Sequence, residues 1–221
     1  MSNHMDLGNR TFQAPDGRRH LLIGFDARQQ WLPMANWWPQ NGPFLYLLRE
    51  DGERTYSVDK NIWSSVCSVV ADLRRPDEAG VVPPLWNEQT RLVRHLATKP
   101  GLDSRPFSVI ALTLSVDSLV ADAAEWLPLT GPDGPDLGAL DTTWTILGYD
   151  VANPKLLSGL SNTPYHTEHE NIDALRARWA PHLNEHHLFR DAEEAKAFIP
   201  ICESRARHFG PYGVYGLWKS R

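Results

Sequence analysis

Cysteine is nearly missing from this sequence, with only Cys67 and Cys202 in 221 residues. Two thiols cannot build a disulfide scaffold, and such scarcity fits a reducing compartment, so a cytoplasmic location is expected. Long apolar runs are missing as well. No stretch approaches the roughly 20 residues a membrane helix needs, and the first residues lack a signal peptide's apolar core. There is no excess of positive charge: 22 Lys and Arg stand against 27 Asp and Glu, a formal net charge of −5. That balance argues against binding nucleic acid by broad phosphate attraction. No nucleic-acid or membrane partner is expected.

The common chemical signatures are missing too. There is no H-E-x-x-H, no C-x-x-C and no H-x-E paired with P-C-x-x-C, so no metal is expected. No Gly-rich phosphate loop occurs, which disfavours nucleotide chemistry, and no cofactor is implied. The G-x-S-x-G nucleophile elbow fails because Gly159-Leu160-Ser161-Asn162-Thr163 lacks its second glycine.

What is present describes a folded protein. The chain is 42% hydrophobic and 22% charged, ordinary for a globular domain. Its length allows most of the unfolded surface to be buried without a disulfide or a metal. Nine tryptophans are spread from Trp31 to Trp218, which favours core packing over one aromatic patch. Residues 1–5 read as a cloning remnant. The remainder, 6–221, reads as one α+β domain: β-rich over 19–116, a turn-rich linker over 127–141, and mixed α/β over 142–221.

Strands are predicted at Arg19–Ala27, Phe44–Leu48, Arg54–Val58, Asn61–Leu73, Pro106–Val116, Thr142–Val151 and Tyr212–Trp218. Asp51-Gly52 predicts a hairpin turn between the second and third. Helical patterns occupy Leu85–Thr98, where Trp86, Thr90, Val93 and the Leu92/Leu96 pair form a stripe, and a short piece at Ser118–Trp126. A helical turn is predicted from Asn153-Pro154 through Leu160. Thr167-x-x-Glu170 opens a helix carrying Ile172, Leu175 and Trp179, which Pro181 ends. Asp191-x-x-Glu194 opens another, kinked at Pro200. Strands and helices do not alternate, so the expected fold is a largely antiparallel sheet with helices concentrated in the C-terminal third.

Histidine clusters: of nine, six lie between His166 and His208. Imidazole titrates near neutrality and ligates metals, so the cluster is a candidate for chemistry or recognition. The two caps divide it. His166 and His169 sit at a helix start, while His182, His186 and His187, with Glu185, fall in the connection 181–190. A helix of about 12–14 residues separates the groups by roughly 20 Å, too far for one metal.

Loops held by rigid elements often carry function, so His182, Glu185, His186 and His187 are the candidate partner-binding residues. Trp37 and Trp38 join them, because adjacent residues on an extended segment point opposite ways and one ring can face outward. Ser158 and Ser161, near Asp150 and His166, are the weaker hydrolase candidates, and they equally serve to cap a turn. Glu194-Ala195-Lys196 has a nuclease-like spacing but falls in a helix. No catalytic residue is assigned.

The leading reading is a non-enzymatic binding protein of the immunity or antitoxin type. Its partner would be a protein, such as a basic toxin domain drawn by opposite charge. The alternative is a small hydrolase or metal-dependent enzyme using the His-rich segment 166–187. A third reading is an assembly component of a phage or secretion apparatus.

Overall fold

The computed structural model describes residues 11–29, 89–97, 107–118 and, within 140–221, all but 155, 157, 163–171, 185, 187, 206, 208 and 209. Trp37, Trp38, Glu185 and His187 lie outside the described residues, as do the strands expected between 44 and 73. Five strands form one antiparallel sheet: β1 (Thr11–Gln13), β2 (Arg19–Gln29), β3 (Phe107–Ser115), β4 (Trp144–Ala152) and β5 (Gly213–Ser220). Their spatial order is β1-β2-β3-β5-β4. The last strand thus inserts between β3 and β4, and the described residues form a single α+β body.

The strands read as sequence physics dictates. Leu21-Leu22-Ile23 and Ile110 to Leu114 are buried throughout, which requires cover on both sheet faces. One face carries Leu21, Ile23, Ile110, Leu112, Leu114, Tyr215 and Leu217, packed with Leu147, Leu156 and Leu188. Side-chain alternation puts Val214, Gly216 and Trp218 of β5 on the other face. There Phe25, Ala111, Trp144 and Trp218 meet Leu92, and Tyr149, Val151 and Val214 meet Trp179, Phe198 and Cys202. Irregularities at Leu22/Gly24 and Ile146/Gly148 shift the register of β2 and β4.

Among the described residues, four helices accompany the sheet: α1 (Gln89–Ala97), α2 (Gly159–Asn162), α3 (Ile172–Trp179) and α4 (Ala192–Arg205). In α4 the spacing of Ala192, Ala195, Phe198, Ile199 and Cys202 makes the buried stripe. Asp191 caps it, its Oδ1 accepting the Glu193 and Glu194 amides at 2.6 and 3.2 Å. The helix runs on through Pro200, which is exposed.

Three expectations change. Val93 is 48% exposed rather than on the core stripe of α1, where Leu92 alone is buried among the described residues of that stripe. The turn expected from Asn153 to Leu160 becomes helical only at Gly159. Leu156 adopts φ +58 and Ser158 bridges back to Ala152. After β3 a 3-10 turn, Val116–Ser118, stands where the helix from Ser118 was expected to begin, and the rest of that segment lies outside the described residues. Among the described residues, no helix is long and apolar enough to cross a membrane.

Candidate functional site

The described residues of the connection between α3 and α4 form a corner fastened to the edge of β4. A 3-10 turn, Ala180–His182, follows α3, with Pro181 in its first turn. Phe189 then bridges Tyr149, each amide donating to the other's carbonyl at 2.8 and 2.9 Å. Asn184 is the anchor of the loop. Its Nδ2 donates to the Leu147 carbonyl at 2.6 Å, and its Oδ1 accepts the amides of His186 and Leu188. Phe189 enters the cluster of Trp179 and Phe198, and Leu188 enters the cluster on the opposite face.

Such docking demands glycine at 148. A Cβ there would sit 2.6 Å from Leu188 Cβ and 2.9 Å from the Phe189 carbonyl, at a φ of +145 that side chains rarely adopt.

Two of the predicted residues are placed here. His182 lies against the Trp179 ring, centroids 5.4 Å apart, and its Nδ1 is 2.9 Å from Glu194 Oε1. Both members of this pair are partly exposed, at 42% and 31% of their side chains. Glu194 therefore turns to His182 instead of closing a reciprocal capping box. His186 is half-buried in the loop turn. Around them Pro181, Arg190, Asp191 and Glu193 are exposed, and Arg18 reaches from the β1–β2 turn to Glu193 at 2.6 Å. Beneath this surface, Trp179 Nε1 and Glu194 Oε2 are buried with no hydrogen-bond partner among the described residues.

A second polar constellation was not anticipated from the sequence. In the β1–β2 turn, Asp16 Oδ1 accepts the Arg18 amide at 2.9 Å, and Gly17 takes φ +78. Asp16 Oδ2 lies 2.8 Å from His20 Nε2 and accepts the Tyr149 hydroxyl at 2.5 Å. His20 Nδ1 lies 2.9 Å from Thr113 Oγ1, which accepts the Trp218 indole N–H at 2.9 Å.

The ionised Asp16 can only accept, so Nε2 of the neutral ring carries the proton, Nδ1 accepts, and Thr113 donates to it while its oxygen takes the indole N–H. The Thr113 proton goes to His20 Nδ1, and the Nε2 proton goes to Asp16. Burial pushes the His20 imidazole below its ordinary value despite the pull of Asp16. Burial opposes ionisation of Asp16, but hydrogen bonds from Tyr149 and the Arg18 amide, with His20 nearby, hold its carboxyl below the usual range. Burial, then the bond to Asp16, raises the Tyr149 phenol.

An Asp–His–Thr series has the outline of a nucleophilic triad, yet His20 and Thr113 are wholly buried. A Cβ at Gly216 would lie 2.8 Å from Thr113 Oγ1 and 2.9 Å from Trp218 Nε1. The hydroxyl is enclosed by satisfied partners, with no place beside it for a reacting carbonyl. The signal in the sequence was slight: His20 and Thr113 each interrupt an apolar strand at a buried register position.

The weaker serine candidate meets a similar fate. Ser158 donates to Asp150 Oδ1 at 2.9 Å, the Val151 amide donates to the same oxygen, and Ser158 and Asp150 are fully buried. His166, their proposed companion, and the side chain of Ser161 lie outside the described residues. Glu194 and Lys196 lie in a helix, as expected, and Lys196 Nζ donates to the Asp117 carbonyl. An open cleft of about 480 Å³ at the far end of α4 opposes Glu203 to Arg207, so its walls favour no one sign of charge. Among the described residues, no three His, Cys, Asp or Glu side chains converge as metal ligands. No family model, no curated protein and no solved structure matches this chain.

Proposed function

We propose that this chain is a cytoplasmic binding protein of the immunity or antitoxin type, and that the corner 180–194 is its recognition surface. The observation carrying the proposal is preorganisation. Asn184 and the Tyr149–Phe189 bridge fasten the described part of the loop to β4, while His182, Glu193, Asp191 and Arg190 stand at its surface. A surface ordered before encounter loses little conformational entropy on binding. The net charge of −5 supports a basic protein as partner.

The test is capture of partners on the immobilised chain, identification by mass spectrometry and titration of the purified partner. Glu193→Lys and His182→Ala are expected to weaken binding about tenfold or more, as interface substitutions worth over 1.4 kcal/mol do. Equal affinity of all three proteins would exclude this corner, and failure to retain any protein would exclude the binding reading.

A second reading is favoured by one observation. The His182–Glu194 pair is partly exposed and within hydrogen-bond reach, the geometry of an acid–base dyad. It corresponds to the hydrolase that the His-rich segment suggests. Hydrolytic activity lost in His182→Ala but retained in Glu193→Lys would select it over the binding reading.

A further inference from the structure

The Asp16–His20–Thr113–Trp218 chain joins the turn 14–18, β2, β3 and β5, and through Tyr149 it reaches β4. Two connections run from it to the corner. Arg18, two residues from Asp16, pairs with Glu193. Tyr149, whose hydroxyl donates to Asp16, pairs through its backbone with Phe189. We propose that His20 is a proton-operated latch: neutral, it fastens the 14–18 turn and the Tyr149 edge, and with them the corner 182–194, and protonated, it releases them.

The argument is one of proton accounting. The Trp218 N–H occupies one lone pair of Thr113 Oγ1, and the Thr113 proton points at His20 Nδ1. A proton arriving from solvent must bind Nδ1, because Nε2 already carries one. Nδ1–H and the Thr113 hydroxyl then confront each other, and the hydroxyl must turn away. The 2.9 Å contact then runs from nitrogen to oxygen, and the hydroxyl proton is left with the Gly216 carbonyl at 3.5 Å, a marginal acceptor.

The imidazolium would also be wholly buried. Among the described residues, the charged groups facing it are Asp16 and Arg18 from the turn and Asp117 from the 3-10 turn after β3. Tyr149 shares the Asp16 oxygen. The remaining neighbours are uncharged, Thr113 and the rings of Trp218 and Phe12. Asp16, half-engaged elsewhere, and the weaker Asp117, opposed by Arg18, are poor compensation for burying a charge, so acid selects a state in which His20 reaches water.

The test uses the intact ¹⁵N-labelled chain, whatever the corner binds. Imidazole nitrogen shifts give the tautomer. Amide exchange, corrected for intrinsic rates, gives the opening of Tyr149 and Phe189 from about pH 7.5 to about 5.5, the range around free imidazole titration. At neutral pH, Nε2 should carry the proton. Opening of Tyr149 and Phe189 should then rise by up to about tenfold per pH unit, the limit for one linked proton. The amides joining β3 to β5 should keep their protection, and His20→Gln should abolish the pH response.

A proton on Nδ1 at neutral pH, protection independent of pH, or uniform loss across the sheet would each overturn the latch. So would an unchanged response in His20→Gln. The first three are read on the unaltered chain, so the test stands even where the variant does not fold.

Discussion

Among the described residues, two histidine sites each join an imidazole to a carboxylate and an indole, and they differ in closure. His20 is wholly buried, and both ring nitrogens have partners in a chain running from Asp16 to Trp218. His182 stands half in water against Trp179, and a donor and an acceptor beneath it lack partners among the described residues. A satisfied buried network stabilises the fold and holds strands in register. A buried polar atom left unpaired costs about 1–3 kcal/mol. Two such atoms lie beside the corner, so its polar groups stabilise the fold less than those of the His20 network do.

The sharpest way to break this contrast is at the hinge between the sites. Gly148→Ala should destabilise the protein by about 3–5 kcal/mol, combining left-handed strain with overpacking against Leu188 and Phe189. Urea unfolding would measure it, and a loss below about 1 kcal/mol, within the range of volume-conserving swaps, would show that the corner is not wedged onto β4 as described.

Thr113→Val comes next. It leaves His20 Nδ1 and Trp218 Nε1 buried without partners, for a loss of about 2–4 kcal/mol, while Thr113→Ser stays within about 1 kcal/mol. Equal losses in the two variants would mean that the hydroxyl carries no weight in the network.

Acid should act in the same sense. The unfolded imidazole protonates near its ordinary value of 6.5, whereas folded His20 resists until a lower pH. Its contribution is therefore complete above that value and is lost as pH falls through the folded one. Asp16 extends the loss below the ordinary carboxylate value of 3.8, because its folded value is lowered too. Stability measured by chemical denaturation should fall with acidification, and His20→Gln should flatten the upper part of the curve.

The smallest effect is expected at the open site. Glu194→Leu removes an unpaired buried oxygen together with the His182 bond and a favourable charge near the helix start. Its net effect on stability should stay within about 1 kcal/mol. A large loss there would erase the distinction between the two sites.

Local chemistry made much of the architecture legible in the sequence. Apolar runs marked β2, β3, β4 and β5 to within a few residues, because a strand covered on both faces needs unbroken hydrophobic residues. Asp191 announced the start of α4, because an N-cap oxygen serves amides two and three residues ahead. The placement of His182 and His186 in a connection between two helices followed from the same signals.

What the chain could not reveal was contact between residues far apart along it. His20 meets Thr113 because β2 pairs with β3, and it meets Trp218 because β5 slides between β3 and β4, pairings no local pattern encodes. Glu194 turned to His182 because the docked loop put a nitrogen within 2.9 Å, where its spacing from Asp191 suggested a reciprocal cap. The histidines first appear as one cluster in sequence. Tertiary structure set another, His20, into the buried network, because strand pairing, not proximity along the chain, decides which groups an imidazole meets.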